Sequence, residues 1–239
     1  MARRRFFVDE VRRGEAELEG EDAEHLTRVL RAEAGQQYEI CDGARLYLGE
    51  IVEARKTWVR FRIVESLEVV EPAARIVLIM SLIKFDRFEW MIEKATELGV
   101  ERIVPLQADR SEKGLELAAR KRFERWRKIA RAACQQSRRV HLPEILAPIT
   151  VREASTAAAQ YRFYLEETAG CPLLLNAVLA LPGRKAGETT AALVGPEGGW
   201  TDRERAQLVN GGWPPVSLGA QILRAETAAI AAVAILSQA

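Results

Sequence analysis

The sequence predicts an α/β protein in two parts: a small antiparallel β domain over residues 1–70 and a doubly wound α/β domain over residues 73–239. Three observations carry this. Before residue 70, short segments alternate apolar and polar positions, as where Trp58, Phe61 and Ile63 interleave with Arg60 and Arg62. After Pro72, continuous apolar runs take turns with segments of helical period, the signature of a mainly parallel sheet with helices on both faces. Near the C-terminus, two stretches each read as an apolar strand, a glycine-containing loop and a helix start. Such loops at the ends of neighbouring strands make one crevice, the usual ligand position in an open α/β sheet.

Taken in order, Arg5-Phe6-Phe7-Val8 is a short strand, and 21–31 is a helix with Leu26, Val29 and Leu30 on one side. Tyr38-Glu39-Ile40-Cys41 leads into the hairpin signal Asp42-Gly43, and 46–52 and 58–64 are strands of a small antiparallel barrel. Val69-Val70-Glu71-Pro72-Ala73 reads as a linker. Then come a strand at 76–80, a helix at 85–98 stopped by Gly99, and a strand at 103–106. A long basic helix follows at 115–137, with Phe123, Trp126, Ala130 and Ala133 as its apolar stripe. A strand at 162–165 and a helix at 173–181 precede the two C-terminal stretches.

The first of these is Leu193-Val194-Gly195-Pro196-Glu197-Gly198-Gly199-Trp200, with Thr201 or Asp202 as helix cap. The second is Val216-Ser217-Leu218-Gly219-Ala220-Gln221-Ile222-Leu223-Arg224-Ala225-Glu226-Thr227. Pro196 removes a backbone donor, and the glycines remove the steric bar to positive φ, so bare backbone can approach a ligand. A plain surface turn is the alternative for either loop alone; the repetition of the pattern argues against it. Neither loop is a phosphate-binding Walker loop or a G-x-G-x-x-G turn. The last helix, 226–236, is apolar on every side and therefore buried, in its own domain or partly against a second copy.

Together these two stretches resemble the SPOUT-class RNA methyltransferases. Within that class the chain is most similar to the ribosomal RNA small subunit methyltransferase E family. Lys94-Ala95-Thr96-Glu97-Leu98-Gly99-Val100 and Gln136-Ser137-Arg138-Arg139 also match it, so the resemblance covers nearly the whole chain. One departure is Gln221, where the family often has Arg. The resemblance implies a PUA-like first domain, a C-terminal trefoil knot, a homodimer, and S-adenosylmethionine as methyl donor to N3 of a uridine in 16S ribosomal RNA of the small subunit. A knot is too rare to be read from pattern alone. Ribose 2′-O-methylation and a non-catalytic RNA-binding assembly factor are the competing functions.

Composition sets looser bounds. The 239 residues are 48% hydrophobic, ample for a packed core, and the net charge of +1 by itself implies no nucleic acid. The distribution says more: residues 1–72 carry 12 Lys/Arg against 16 Asp/Glu, whereas residues 110–141 carry 11 basic against 3 acidic. Cys41, Cys134 and Cys171 have no pair spacing and read as free thiols in a reducing compartment. His25 and His141 lack partners at ligand spacing, so no metal is expected. No signal peptide or transmembrane run is evident, which leads us to expect a cytoplasmic protein.

The chemistry assigns roles to residues. Backbone groups of Val194, Gly195, Pro196, Gly198, Gly199, Ser217 and Gly219 suit adenine recognition, with Leu193, Leu218, Ile222 and Leu223 as apolar floor. Glu197 suits the cationic methionine end, or merely the helix start. Methylating uracil N3 requires the deprotonated base, and an arginine stabilises that developing anion. Arg224, Arg138 and Arg139 are the candidates, against purely structural or phosphate roles. Lys121, Arg125 and Lys128 on the basic helix, and Arg3, Arg4, Arg5, Arg12 and Arg13 near the N-terminus, are candidate RNA phosphate contacts; a solvated charged face is the alternative for both groups.

Overall fold

The computed structural model describes residues 4–69, 74–181 and 187–238. The candidate Arg3 and the linker residues Val70, Glu71, Pro72 and Ala73 lie outside the described residues. The chain divides into two compact units: Met1–Glu71 with Cys134–Leu142, and Pro72–Ala133 with Pro143–Ala239. The segment 134–142 thus groups with the first unit, a return of the chain that a single boundary at the linker does not express.

The first unit contains β1 (Arg5–Phe7), β2 (Val11–Arg12), β3 (Glu15–Glu19), α1 (Gly20–Glu24), β4 (Gln37–Cys41), β5 (Leu46–Arg55) and β6 (Trp58–Leu67). These strands form one sheet in the order β1-β4-β5-β6-β3-β2. All pairs are antiparallel except β1 with β4, which corrects the expectation of a wholly antiparallel domain. The expected helix at 21–31 is α1 followed by a π-helical turn, His25–Val29. Sequence patterning misses β2 and β3 because only Ala16 and Leu18 point inward, between Glu15, Glu17 and Glu19. Arg13 and Gly14, both at positive φ, make the two-residue turn that joins them.

Phe6 of β1 and Leu18 of β3 share one core with Ile40, Ile51, Val59 and Phe61. In a flat sheet those two strands would stand about 19 Å apart, so the sheet must curl around its core. Register shifts at Leu48/Gly49 and Ile51/Glu53 supply part of the bend. A Cβ on Gly49 would come within 2.6 Å of Ile40 Cγ1, so the inner curve admits only glycine there.

The second unit contains β7 (Arg75–Ser81), α2 (Phe85–Glu97), β8 (Arg102–Gln107), α3 (Leu115–Ala119), α4 (Phe123–Ser137), β9 (Glu144–Ile145), β10 (Ile149–Thr150), α5 (Val151–Ser155), β11 (Tyr161–Leu165), α6 (Leu174–Leu179), β12 (Thr189–Val194), α7 (Asp202–Asn210), β13 (Pro215–Val216) and α8 (Ala225–Gln238), with the last turn of α4 counted in the first unit. Its sheet runs β10-β8-β7-β12-β11-β13, with β9 beside β8, and every recorded pairing is parallel. Central β7 feeds both faces. Ile76, Leu78 and Met80 enter the core shared with α2, α6 and α8; Val77 and Ile79 enter the core holding Val151, Leu208 and Trp213. The expected long helix 115–137 is α3, a 3₁₀ turn Arg120–Arg122, and α4, joined to α2 through Phe88 and Trp126, whose ring centroids are 4.8 Å apart.

The C-terminal strand is unusually enclosed. Pro214 O and Val216 O accept from Tyr164 N and Glu166 N at 3.1 and 2.9 Å. On its other side, Ser217 N donates to Pro172 O and Ser217 O accepts from Leu174 N, each at 2.8 Å. Segment 214–217 therefore passes between the two ends of the 166–172 loop.

Candidate active site

The carboxyl ends of β11, β12 and β13 open onto a cavity of about 830 Å³ in the second unit. Both glycine loops line it, from Val194 to Trp200 and from Ser217 to Ala225. So do Arg87, Arg110, Glu167 and Arg205, which the loop patterns did not flag. Of the expected floor residues, Leu218, Ile222 and Leu223 are at the cavity. Leu193 is not: it is fully buried beneath it, on the opposite face of β12 from Val194, because adjacent strand residues point to opposite sides. Leu165, at the end of β11, takes its place in the wall.

The first loop is held from several directions. Trp200 is buried, donates Nε1 to Leu165 O at 2.9 Å and meets Tyr164 edge-on. A Cβ on Gly195 would lie 2.8 Å from the Trp200 indole, so glycine there serves the tryptophan's packing. Gly199 N donates to Pro196 O, and Arg110 Nη1 donates to Gly198 O at 2.8 Å. Thr201 caps α7 in a reciprocal capping box with the buried Glu204. The second loop is anchored at its ends: the Ser217 hydroxyl bonds the Gly219 backbone, and Arg224 O accepts from Ala228 N as α8 begins. Between them Ile222 is 79% exposed.

Charge is arranged in pairs around the cavity. Arg87 bonds Glu197, and its Nε stands 3.9 Å from Glu226 Oε1. Arg205 donates to Glu166 Oε2 at 2.6 Å and bonds Asp202. Burial pushes the Glu166 carboxyl up, but hydrogen bonds from Arg205 and the Glu167 backbone, with the Arg205 charge, outweigh it and hold it below the ordinary carboxylate range. Arg224 is the exception. Among the described residues its guanidinium has no hydrogen bond or ion pair, and it does not pair with Glu226.

The other candidates are placed differently. Arg138 and Arg139 belong to the first unit and are not among the residues that line the cavity in the second. Arg138 sits at positive φ, and its guanidinium bonds Glu39. Arg5 is buried, donates to Glu39 at 2.9 and 3.1 Å and to the Arg138 carbonyl. This corrects the phosphate role for Arg5: a guanidinium spent on a buried carboxylate ties the 134–142 return into the unit instead. Arg4, exposed, lies 3.2 Å from His25 Nε2, and Arg12 and Arg13 are exposed. Lys121 and Lys128 are exposed, whereas Arg125 and Arg122 both hold the buried Glu89, at 2.8 and 3.2 Å. Cys41 and Cys134 are buried free thiols and Cys171 is half-buried. Among the described residues no His/Cys/Asp/Glu group could hold a metal, and no helix is long and apolar enough to cross a membrane.

Comparison with known proteins agrees with this layout. Residues 70–237 match the RNA methyltransferase domain family, and residues 18–64 match the RNA methyltransferase PUA domain. Ribosomal RNA small subunit methyltransferase E of Aquifex aeolicus is 30% identical, covering 96% of this chain and 97% of its own. The Bacillus subtilis protein of the same name is 30% identical over 92% and 88%. Among solved structures, the Neisseria gonorrhoeae methyltransferase E bound to S-adenosyl methionine superposes with a TM-score of 0.85 at 30% identity, covering 98% of this chain and 96% of that one. A methyltransferase from Legionella pneumophila with bound S-adenosylmethionine gives the same TM-score over 99% and 97%. The chain belongs to the RNA methyltransferase family, as a member of its ribosomal RNA small subunit methyltransferase E group.

Proposed function

We propose that the protein transfers a methyl group from S-adenosylmethionine to N3 of a uridine in 16S ribosomal RNA of the small subunit. The observation that carries the site assignment is the cavity itself: two backbone-rich loops, an apolar wall of Leu165, Leu218, Ile222 and Leu223, and one uncommitted arginine. These residues fit the donor, which needs backbone partners for its adenine, apolar contact and charge near its methionine end. Glu197 stands at the cavity with a charge suited to the cationic part of that end. When bound, the donor supplies a methyl on a positively charged sulfur.

The chain supplies position and electrostatics. Holding base and donor in line contributes several kcal/mol of rate acceleration. We assign stabilisation of the uracil anion to Arg224; in support, Arg87 and Arg205 are committed to carboxylates and Arg110 to backbone carbonyls. Exposed Lys121 and Lys128 are the better phosphate contacts on the basic segment, because Arg125 is already engaged with the buried Glu89. The passage of 214–217 between the ends of the 166–172 loop supports a knotted C-terminal segment. A homodimer in the cytoplasm completes the reading; Ile230, Ala231, Ala234 and Ile235 on α8 stay partly exposed in one chain, as an interface would leave them.

The test is transfer from labelled donor to assembled small subunits lacking the modification, with product nucleosides resolved by mass and retention. The proposal expects 3-methyluridine. A 2′-O-methyl nucleoside would reassign the acceptor, and no transfer to any RNA would favour a non-catalytic assembly factor.

A further inference from the structure

Glu226, in the first turn of α8, is 5% exposed, yet its Oε2 is buried without a hydrogen-bond partner. The N-terminus of α8 offers it only a partial positive charge, about half an elementary unit. Among the described residues, Arg87 is the one side-chain cation within 4.0 Å, its Nε 3.9 Å from Oε1. The same guanidinium bonds Glu197, half-exposed on the first glycine loop. Arg87 itself stands in the first turn of α2, at the cavity wall. One side chain thus touches the first loop and reaches the helix that ends the second.

We infer that Arg87 is a positioning residue for the donor cleft: it fixes the first loop relative to α8 by sharing its charge between Glu197 and Glu226. The inference rests on the proposed function for its ligand. A planar guanidinium with five donors can serve two carboxylates at once, whereas an ammonium is a single compact charge. Without Arg87, Glu226 becomes a buried charge with no side-chain cation, and Glu197 is released from the α2 side of the cleft. The loop that grips the donor then loses its register against α8. Arg87 does not touch the reacting atoms, so the loss falls on donor binding before chemistry.

The test is calorimetric titration of S-adenosylmethionine and steady-state methylation for native protein, Arg87→Ala, Arg87→Lys and the double variant Arg87→Ala/Glu226→Gln. Arg87→Ala should weaken donor binding about tenfold or more and raise its KM equally, with kcat at saturation within about twofold. Arg87→Lys should fall between. The double variant should bind better than Arg87→Ala, because it deletes the charge that was left unpaired, yet stay weaker than the native protein, because the first loop remains untied from α8; full rescue would mean that Arg87 only neutralises Glu226. Unchanged affinity in Arg87→Ala, or a double variant no better than the single, overturns the inference. Should Arg87→Ala fail to fold, Arg87→Lys carries the test: it keeps the charge but not the planar fork, so it must still raise the donor KM, and a flat result refutes the role. Failure of the native protein to bind the donor would instead overturn the proposed function.

Discussion

The two glycine loops share a cavity but are built oppositely. The first is fixed by a buried tryptophan, a capping box, and an arginine on its carbonyl. The second is tied at Ser217 and Arg224 and carries an exposed isoleucine between. A preformed wall facing a loosely held one suits a site that must bind a donor tightly yet admit a large RNA. On the proposed function, the first loop supplies the fixed wall, and the second carries Arg224 and the contacts made once ligand arrives.

The contrast can be broken most severely at Trp200. Trp200→Ala should cost about 3–5 kcal/mol in denaturant unfolding, the range for a large buried aromatic. Gly195→Ala should cost about 1–3 kcal/mol, because its methyl meets the indole. A small effect at either position would show that the first loop is not packed as described. Thr201→Ala, which removes the cap of α7, should cost about 1 kcal/mol in the same assay.

Acid offers a subtler probe. Glu166 has a depressed folded-state pKa, so its contribution to stability is present above the ordinary carboxylate value, about 4.3, and is lost as pH falls through the lower folded value. Glu166→Gln should therefore flatten the acid limb of stability measured below pH 5. An identical acid limb in the variant would count against the pairing with Arg205.

The smallest stability effect belongs to the second loop. Ile222→Ser should change unfolding free energy by less than about 0.5 kcal/mol, as expected for an exposed site. It should nonetheless reduce the rise in melting temperature that saturating S-adenosylmethionine produces. An equal rise would remove Ile222 from the ligand wall.

The same division explains what the sequence made legible. The strand–loop–helix pattern at both loops was visible because apolar runs, glycines and caps lie close together along the chain. Arg87, Arg110 and Glu167 were not, since only the sheet order brings the ends of β7, β8 and β11 beside β12 and β13. Leu193 was misplaced by one residue: a continuous apolar strand does not reveal which face each side chain takes. Arg5 was read as surface because charge suggests exposure, while its partner Glu39 lies 34 positions away. The parallel pairing of β1 with β4 is equally non-local. The split of the basic helix at 120–122 had no proline or glycine to announce it.

On the proposed function, this cavity transfers the methyl group with Arg224 at the reacting base. Single-turnover methylation of assembled small subunits, with donor and subunit both saturating, tests it most directly. Arg224→Ala should bind both substrates and react about 10²–10³ times more slowly, the scale of losing one preorganised transition-state contact. A variant that reacts at the native rate under saturation would contradict the assignment and leave Arg224 without a part in the chemistry.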